Sequence, residues 1–270
     1  MEQKPPRTLV IVLLLQALAL GCVPEGEERD TTPPTAPILK SRSVDSLYAE
    51  SGIRPEPGTD ARSYWIRLEW YRNPEEDLAG YLVYRRGEYD AEFPQTSIGN
   101  LILGQNLFPN MDPVFIDRDS PNLQPNDTSG DSRGYCYVVR AYDQSGNFSD
   151  FSQTAYYRLI NNPHDFGVSN PGPGQYYLEW NFESGPEVFF DYFMIRVWYE
   201  KAGEPIEPMW WMKYTEFSST HRILLNADGS AQPFVSGRTY VWKLSVVANS
   251  NPPTRSPAGS AVKTSFVYQD

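Results

Sequence analysis

The chain has 270 residues, 40% of them apolar, with 18 Tyr, 13 Phe and 7 Trp and a formal net charge of −11. That acidity repels phosphate backbones and excludes nucleic acid as a partner. Short aromatic and β-branched runs, punctuated by 24 Pro and 19 Gly and without an amphipathic helical stretch, predict an all-β protein.

At the N-terminus, Lys4 and Arg7 precede an apolar run from Leu9 to Leu20, broken only by Gln16. A basic lead, an apolar segment and small residues before a cut make the pattern of a signal peptide. The run is shorter than the roughly 20 residues that span a bilayer. Ala19-Leu20-Gly21-Cys22 resembles the lipobox of bacterial lipoproteins, although Ala19 stands where Leu is more usual. The resemblance implies acylation of Cys22, which becomes the mature N-terminus. It also implies a membrane partner through that lipid and a place in the bacterial cell envelope. Val23 in place of Asp after the cysteine points, by the same resemblance, to the outer membrane. Residues 1–21 are thus expected to be the signal peptide. Residues 22–32, polar and charged, are expected to be the acylated cysteine and a flexible tether.

The first folded unit is expected over residues 33–160. Ile66, Leu68 and Trp70 alternate with Arg67, Glu69 and Tyr71, the period of a strand with one buried face. After the acidic turn Glu75-Glu76-Asp77, Tyr81 and Val83 resume the alternation. Ile38–Val44, Thr96–Leu103, Val114–Ile116, Gly134–Asp143 and Phe151–Leu159 read as further strands, with Gln144–Asn147 as a turn. About seven short strands favour a sandwich over a barrel. Asp112, Asp117, Asp119, Asp127 and Asp131 lie between strands, either as a calcium loop or as a solvated one. Their spacing lacks the glycine and register of an EF-hand, so no metal site is expected. Cys136 is predicted to face away from Tyr135 and Tyr137 and to be a quiet, half-covered thiol.

Leu68-Glu-Trp70, Asp77-Leu-Ala-Gly-Tyr81-Leu-Val-Tyr-Arg85, Tyr135-Cys-Tyr-Val-Val-Arg-Ala141 and Gly146-Asn-Phe-Ser149 resemble a fibronectin type III domain of the bacterial extracellular kind. The resemblance implies a two-sheet sandwich without a disulfide. Trp70 and Tyr81 would then be core residues, and Tyr135 the corner tyrosine of the sixth strand.

A second unit is expected over residues 161–270. Asn161-Asn162-Pro163 is a short boundary, so the two units should abut and not swing freely. Tyr176, Leu178 and Trp180 repeat Ile66, Leu68 and Trp70 at an offset of 110 residues, which argues for tandem sandwiches. Phe193, Ile195, Val197 and Tyr199 alternate with Met194, Arg196 and Trp198, giving a strand whose outward face carries the arginine. Gly237–Asn249 resembles the corner-tyrosine strand with Tyr240 in that role, and it reads two residues longer than its counterpart. Val262–Tyr268 resembles the closing strand.

Pro208–Tyr214 reads as an edge strand on which Trp210 and Trp211 point to opposite faces. Either one of them is exposed and binds a ligand, stacking on sugar rings together with Trp198, or one is core and the other is shielded by Arg196, by Trp198 or by the first domain.

Only His164 and His221 supply imidazoles, and no zinc spacing, nucleophile elbow, phosphate loop or dinucleotide fingerprint occurs. Glu75-Glu76-Asp77 are explained by turn chemistry, not by glycoside hydrolysis. The expectation is therefore a non-enzyme without cofactor. It is a lipid-anchored spacer or adhesion module whose partner is an envelope protein or a glycan, with a carbohydrate-binding accessory role as the alternative.

Overall fold

The computed structural model describes residues 30–43, 50–60, 62–119, 122–125, 133–183, 188–250 and 257–270. Cys22, the expected signal peptide, most of the expected tether, Asp127 and Asp131 lie outside the described residues.

Alternation sets the strands. In β2 (Tyr64–Glu69), Ile66 and Leu68 are buried toward a core while Arg67 between them points out. The first unit contains β1 (Arg54–Pro57), β2, β3 (Leu78–Gly87), β4 (Gly99–Ile102), β5 (Val114–Asp117), β6 (Gly134–Asp143) and β7 (Ala155–Leu159). One sheet has the order β1-β2-β5 and faces a second with the order β7-β6-β3-β4. Ile66, Leu68, Trp70, Tyr81, Val83, Tyr137, Val139 and Tyr157 meet between them. Trp70 and Tyr81 stand edge to face at 5.3 Å, the geometry favoured by ring quadrupoles. The Tyr81 hydroxyl accepts the Asn73 backbone N–H at 2.8 Å, so this buried polar group is satisfied.

The second unit repeats the plan. β8 (His164–Gly172), β9 (Gln175–Asn181) and β12 (Thr220–Leu224) form one sheet in the order β12-β9-β8. β10 (Val188–Tyr199), β11 (Glu207–Tyr214), β13 (Thr239–Ser250) and β14 (Pro257–Val267) form the other in the order β11-β10-β13-β14. In both units the first, second and fifth strands pair on one side, and the fourth, third, sixth and seventh on the other. Trp180, Phe193, Ile195, Val197, Trp210, Tyr240, Trp242 and Leu244 fill the second core. β13 has 12 residues against 10 in β6, matching the extra length read from the sequence.

The two larger sheets are one. β14 pairs in parallel with β7, Ala258 opposite Arg158 and Gly259 opposite Leu159, which gives a continuous eight-stranded sheet through both units. Ile160 N–H donates to the Gly259 carbonyl at 3.3 Å, and Ser260 Oγ donates to the Asn161 carbonyl at 2.9 Å. Gly259 is required at this seam, because a Cβ there would lie 2.3 Å from the Val246 carbonyl oxygen and 2.6 Å from the Tyr157 hydroxyl. The units abut, as the short boundary predicts, and they do so by shared backbone hydrogen bonds.

Several expectations need correction. Residues 38–43 make only isolated bridges, Leu39 with Trp70 and Ser43 with Ser51, and no strand. The last strand of the first unit is confined to Ala155–Leu159, because Ser149 and Ser152 tie residues before it to β6 through side-chain hydrogen bonds. β1, β8 and β12 have no counterpart among the strands read from the sequence.

Candidate functional site

The corner tyrosines are built alike in the two units. The Tyr135 hydroxyl lies 3.0 and 2.9 Å from the Asn122 and Gln124 carbonyls and accepts the Gln124 N–H at 2.8 Å. The Tyr240 hydroxyl accepts the Val235 N–H at 2.8 Å. Each pins an upstream loop to the sixth strand of its sandwich. Trp70, Tyr81, Trp180 and Tyr240 are fully or almost fully buried, and Trp180 lies flat against His221 at 4.8 Å between ring centres. Burial pushes the His221 imidazole pKa below its usual range.

β11 is an edge strand of the long sheet, and its adjacent tryptophans do take opposite faces. Trp210 is in the core at 0% exposure, and its Nε1–H donates to Asp228 at 2.8 Å. That placement removes Trp210 from any ligand-contacting surface: its indole fills the space between the sheets. Trp211 is half-buried on the outer face, packed on Tyr192, Met194 and Val247, while the Lys213 ammonium sits 3.9 Å from the Tyr192 ring centre. Trp198 is half-buried on the same face, further along β10.

The outer face of this second large sheet is where charge collects. Arg196 on β10, Lys243 on β13 and Lys263 on β14 are direct cross-strand neighbours in one row, which continues to Trp211 on β11. The predicted outward direction of Arg196 is right, yet Arg196 is only 3% exposed because the first unit covers it. From that unit Glu50 reaches in, its Oε1 2.9 Å from Arg196 Nη1 and its Oε2 2.6 Å from Lys243 Nζ. Burial alone would raise the Glu50 carboxyl, but Lys243, Arg196 and Arg54 outweigh it and hold the pKa at about 2. On the facing sheet Arg54 and Arg67 stand opposite each other across β1 and β2, and both reach Glu69 Oε1, at 2.8 and 2.9 Å.

Between the two faces lies an open cleft of about 510 Å³. Its charged lining is Arg54, Arg67, Arg196, Lys243 and Lys263 with Glu50, Glu56 and Glu69; Trp198, Ile206, Pro208 and Pro57 give it an apolar side. Nothing in the local sequence marked this cleft. Glu50, Arg67, Arg196 and Lys263 are scattered over the chain, and each reads alone as a solvated surface charge.

Asp112, Asp117 and Asp119, the described members of the long loop's aspartates, are ion-paired to arginine and lysine. Arg85 joins Asp117 and Asp119 at 2.7 and 2.8 Å, and Lys40 joins Asp112 at 2.8 Å. A different carboxylate group, Asp30, Asp77 and Asp143, has oxygens within 4.8 Å of one another. Burial, then the contact with Asp30, raises the Asp77 carboxyl, the response of crowded acids. Asn147 holds Asp143 through its side-chain amide and its backbone N–H, both at 2.8 Å. Cys136 is buried and not half-covered as expected, because β6 lies inside the long sheet, and that burial pushes its thiol pKa up.

No family model matches the chain, and no curated protein matches it. Among solved structures it is similar to the crystal structure of chicken CNTN1 FN1–FN3 domains. That similarity has 12% sequence identity, covers 88% of this chain and 69% of that one, and has a TM-score of 0.34. On its own repeated strand order, the chain is an all-β protein of two tandem β-sandwiches of the same topology.

Proposed function

We infer that the protein is a non-catalytic, lipid-anchored envelope protein in which two sandwiches form one stiff spacer and binding module. The carrying observation is the β7–β14 pairing. A hinge would need a seam without backbone hydrogen bonds, whereas here the sheet runs through the junction and Glu50 bridges the units a second time. Rigid sandwiches present loops and edge strands for recognition without needing a catalytic pocket. The anchor is argued from Lys4, Arg7, the Leu9–Leu20 run and Cys22, and Val23 favours the outer membrane. Several buried acyl chains hold a protein firmly, because each methylene contributes about 0.8 kcal/mol.

Two measurements test this reading. In a Cys136→Ser background, spin labels at the exposed Asp150 and Lys201 should give one narrow distance distribution; a broad one would remove the spacer. In cells, Cys22→Ser should abolish incorporation of labelled palmitate and release the protein from membranes; unchanged labelling would remove the anchor.

A second reading, a carbohydrate-binding accessory, is favoured by one observation. Trp198 stands on the wall of the inter-domain cleft, where an aromatic face and several hydrogen-bond donors converge.

A further inference from the structure

The cleft reverses the overall charge balance of the chain. The chain as a whole has 34 acidic residues against 23 Lys and Arg. The cleft lining reverses that ratio, with five cations to three carboxylates. It does so by an arrangement that works against the fold. Like charges placed directly opposite on neighbouring strands destabilise a sheet. Here Arg196, Lys243 and Lys263 are consecutive cross-strand neighbours, and they face a second pair, Arg54 and Arg67. Glu50 answers Arg196 and Lys243, and Glu69 answers Arg54 and Arg67.

Two cationic groups remain directed at the opening. Arg67 gives Glu69 only its Nε, and its side chain is 26% exposed. Lys263 is exposed on β14, next in the row after Lys243. Glu56 also lines the cleft, but the cations outnumber the carboxylates, and low-dielectric walls concentrate the field of that excess, so an anion is drawn to this opening despite the negative surface around it. The guanidinium of Arg67 offers a planar fork that fits a carboxylate, and Lys263 adds a point charge. The apolar side, Trp198 with Ile206 and Pro208, suits a sugar ring that presents a patch of C–H groups on one face. The volume, about 510 Å³, falls within the roughly 300–1,000 Å³ of ligand clefts.

We propose that the cleft between the outer faces of β1–β2 and β10–β13–β14 binds an acidic sugar, a hexuronate residue of an oligosaccharide. Its carboxylate lies against Arg67 and Lys263, and its ring lies against Trp198. This rests on the second reading above, and it names a ligand class and a place that the tryptophan pair of β11 does not supply.

The test is titration calorimetry on the full chain in detergent, with a hexuronate tetrasaccharide, its neutral methyl ester and acetate as probes. The tetrasaccharide should bind, with affinity falling as NaCl rises from 0.05 to 0.5 M. The methyl ester and acetate should each bind at least about tenfold more weakly. Lys263→Glu, an exposed substitution that does not threaten folding, should weaken the tetrasaccharide about tenfold or more. Lys213→Glu, the same charge change outside the cleft, should leave it unaltered. Trp198→Ala, checked by near-UV circular dichroism for intact folding, should also weaken it. Acetate binding as tightly as the tetrasaccharide would overturn the sugar assignment. Absence of tetrasaccharide binding, or equal affinity in Lys263→Glu and the parent, would overturn the cleft assignment. Neutral-glycan binding lost in Trp211→Ala but kept in Lys263→Glu would overturn it too, while leaving the accessory reading intact.

Discussion

The two faces of β10 and β13 are held in place by different physics. Inward, Phe193, Ile195, Val197, Trp242 and Leu244 bury apolar surface in a sandwich core, a non-directional gain that scales with area. Outward, Arg196 and Lys243 are almost as buried, yet their cover is a carboxylate delivered from another domain. An apolar face tolerates any neighbour of the right shape. A buried ionic face tolerates one partner in one position, because an unpaired charge there is strongly disfavoured. The inner face therefore makes the domain, and the outer face fixes how the two domains sit together.

The largest effect should come from emptying the inner face. Trp180→Ala removes a side chain that packs on Phe193 and His221, and it should cost about 3–5 kcal/mol, read as a lower midpoint in urea. A smaller but diagnostic effect should follow on the outer face. Glu50→Gln leaves Arg196 and Lys243 without their counter-charge and should cost on the order of 3 kcal/mol near neutral pH. It should also broaden the spin-label distance between the domains. The combined change Glu50→Leu, Arg196→Met, Lys243→Met should recover most of that loss, because apolar replacement of a whole buried ionic group is often neutral. If the triple variant is as unstable as Glu50→Gln, the outer face is held by packing and not by charge.

Acid sharpens the same contrast. The Glu50 carboxyl titrates near 4.5 in the unfolded chain and at about 2 in the folded one. Its contribution is therefore complete above about pH 4.5 and is lost as pH falls from there through 2. The stability gap between the parent and Glu50→Gln should narrow over that window. His221 acts earlier and from the inner face. Its folded pKa lies below 6.5, so on acidification the unfolded chain binds the proton first, and stability starts to fall near pH 6.5. Replacing His221 by Phe should remove that earlier phase and leave the Glu50 phase in place; both phases surviving would contradict the assignment. The smallest effect belongs to Trp211→Ala. It trims a half-buried ring on the outer face and should cost about 1 kcal/mol.

Much of the fold was readable because strand alternation is a local property. Ile66-x-Leu68-x-Trp70 and Tyr176-x-Leu178-x-Trp180 announce a buried face within five residues, whereas both tyrosine corners came only from the resemblance of the sixth strands to the fibronectin type III pattern. β1 was hidden because Arg-Pro-Glu-Pro has no apolar alternation and proline is tolerated on an edge. β8 was hidden by its Gly and Pro residues and by an edge position that leaves none of its residues fully buried. On β11 the opposite directions of Trp210 and Trp211 followed from the two-residue repeat. Which of them faced the core did not.

From its residues alone, the chain determined two aromatic-cored sandwiches joined by a short link. Side-chain direction along a strand is settled by the nearest neighbours in sequence. What lies over an outward face is settled by residues far along the chain, and only the tertiary structure could decide it. Arg196 and Lys243 meet Glu50 across 146 and 193 positions, and β7 meets β14 across 100, distances over which no periodicity carries information.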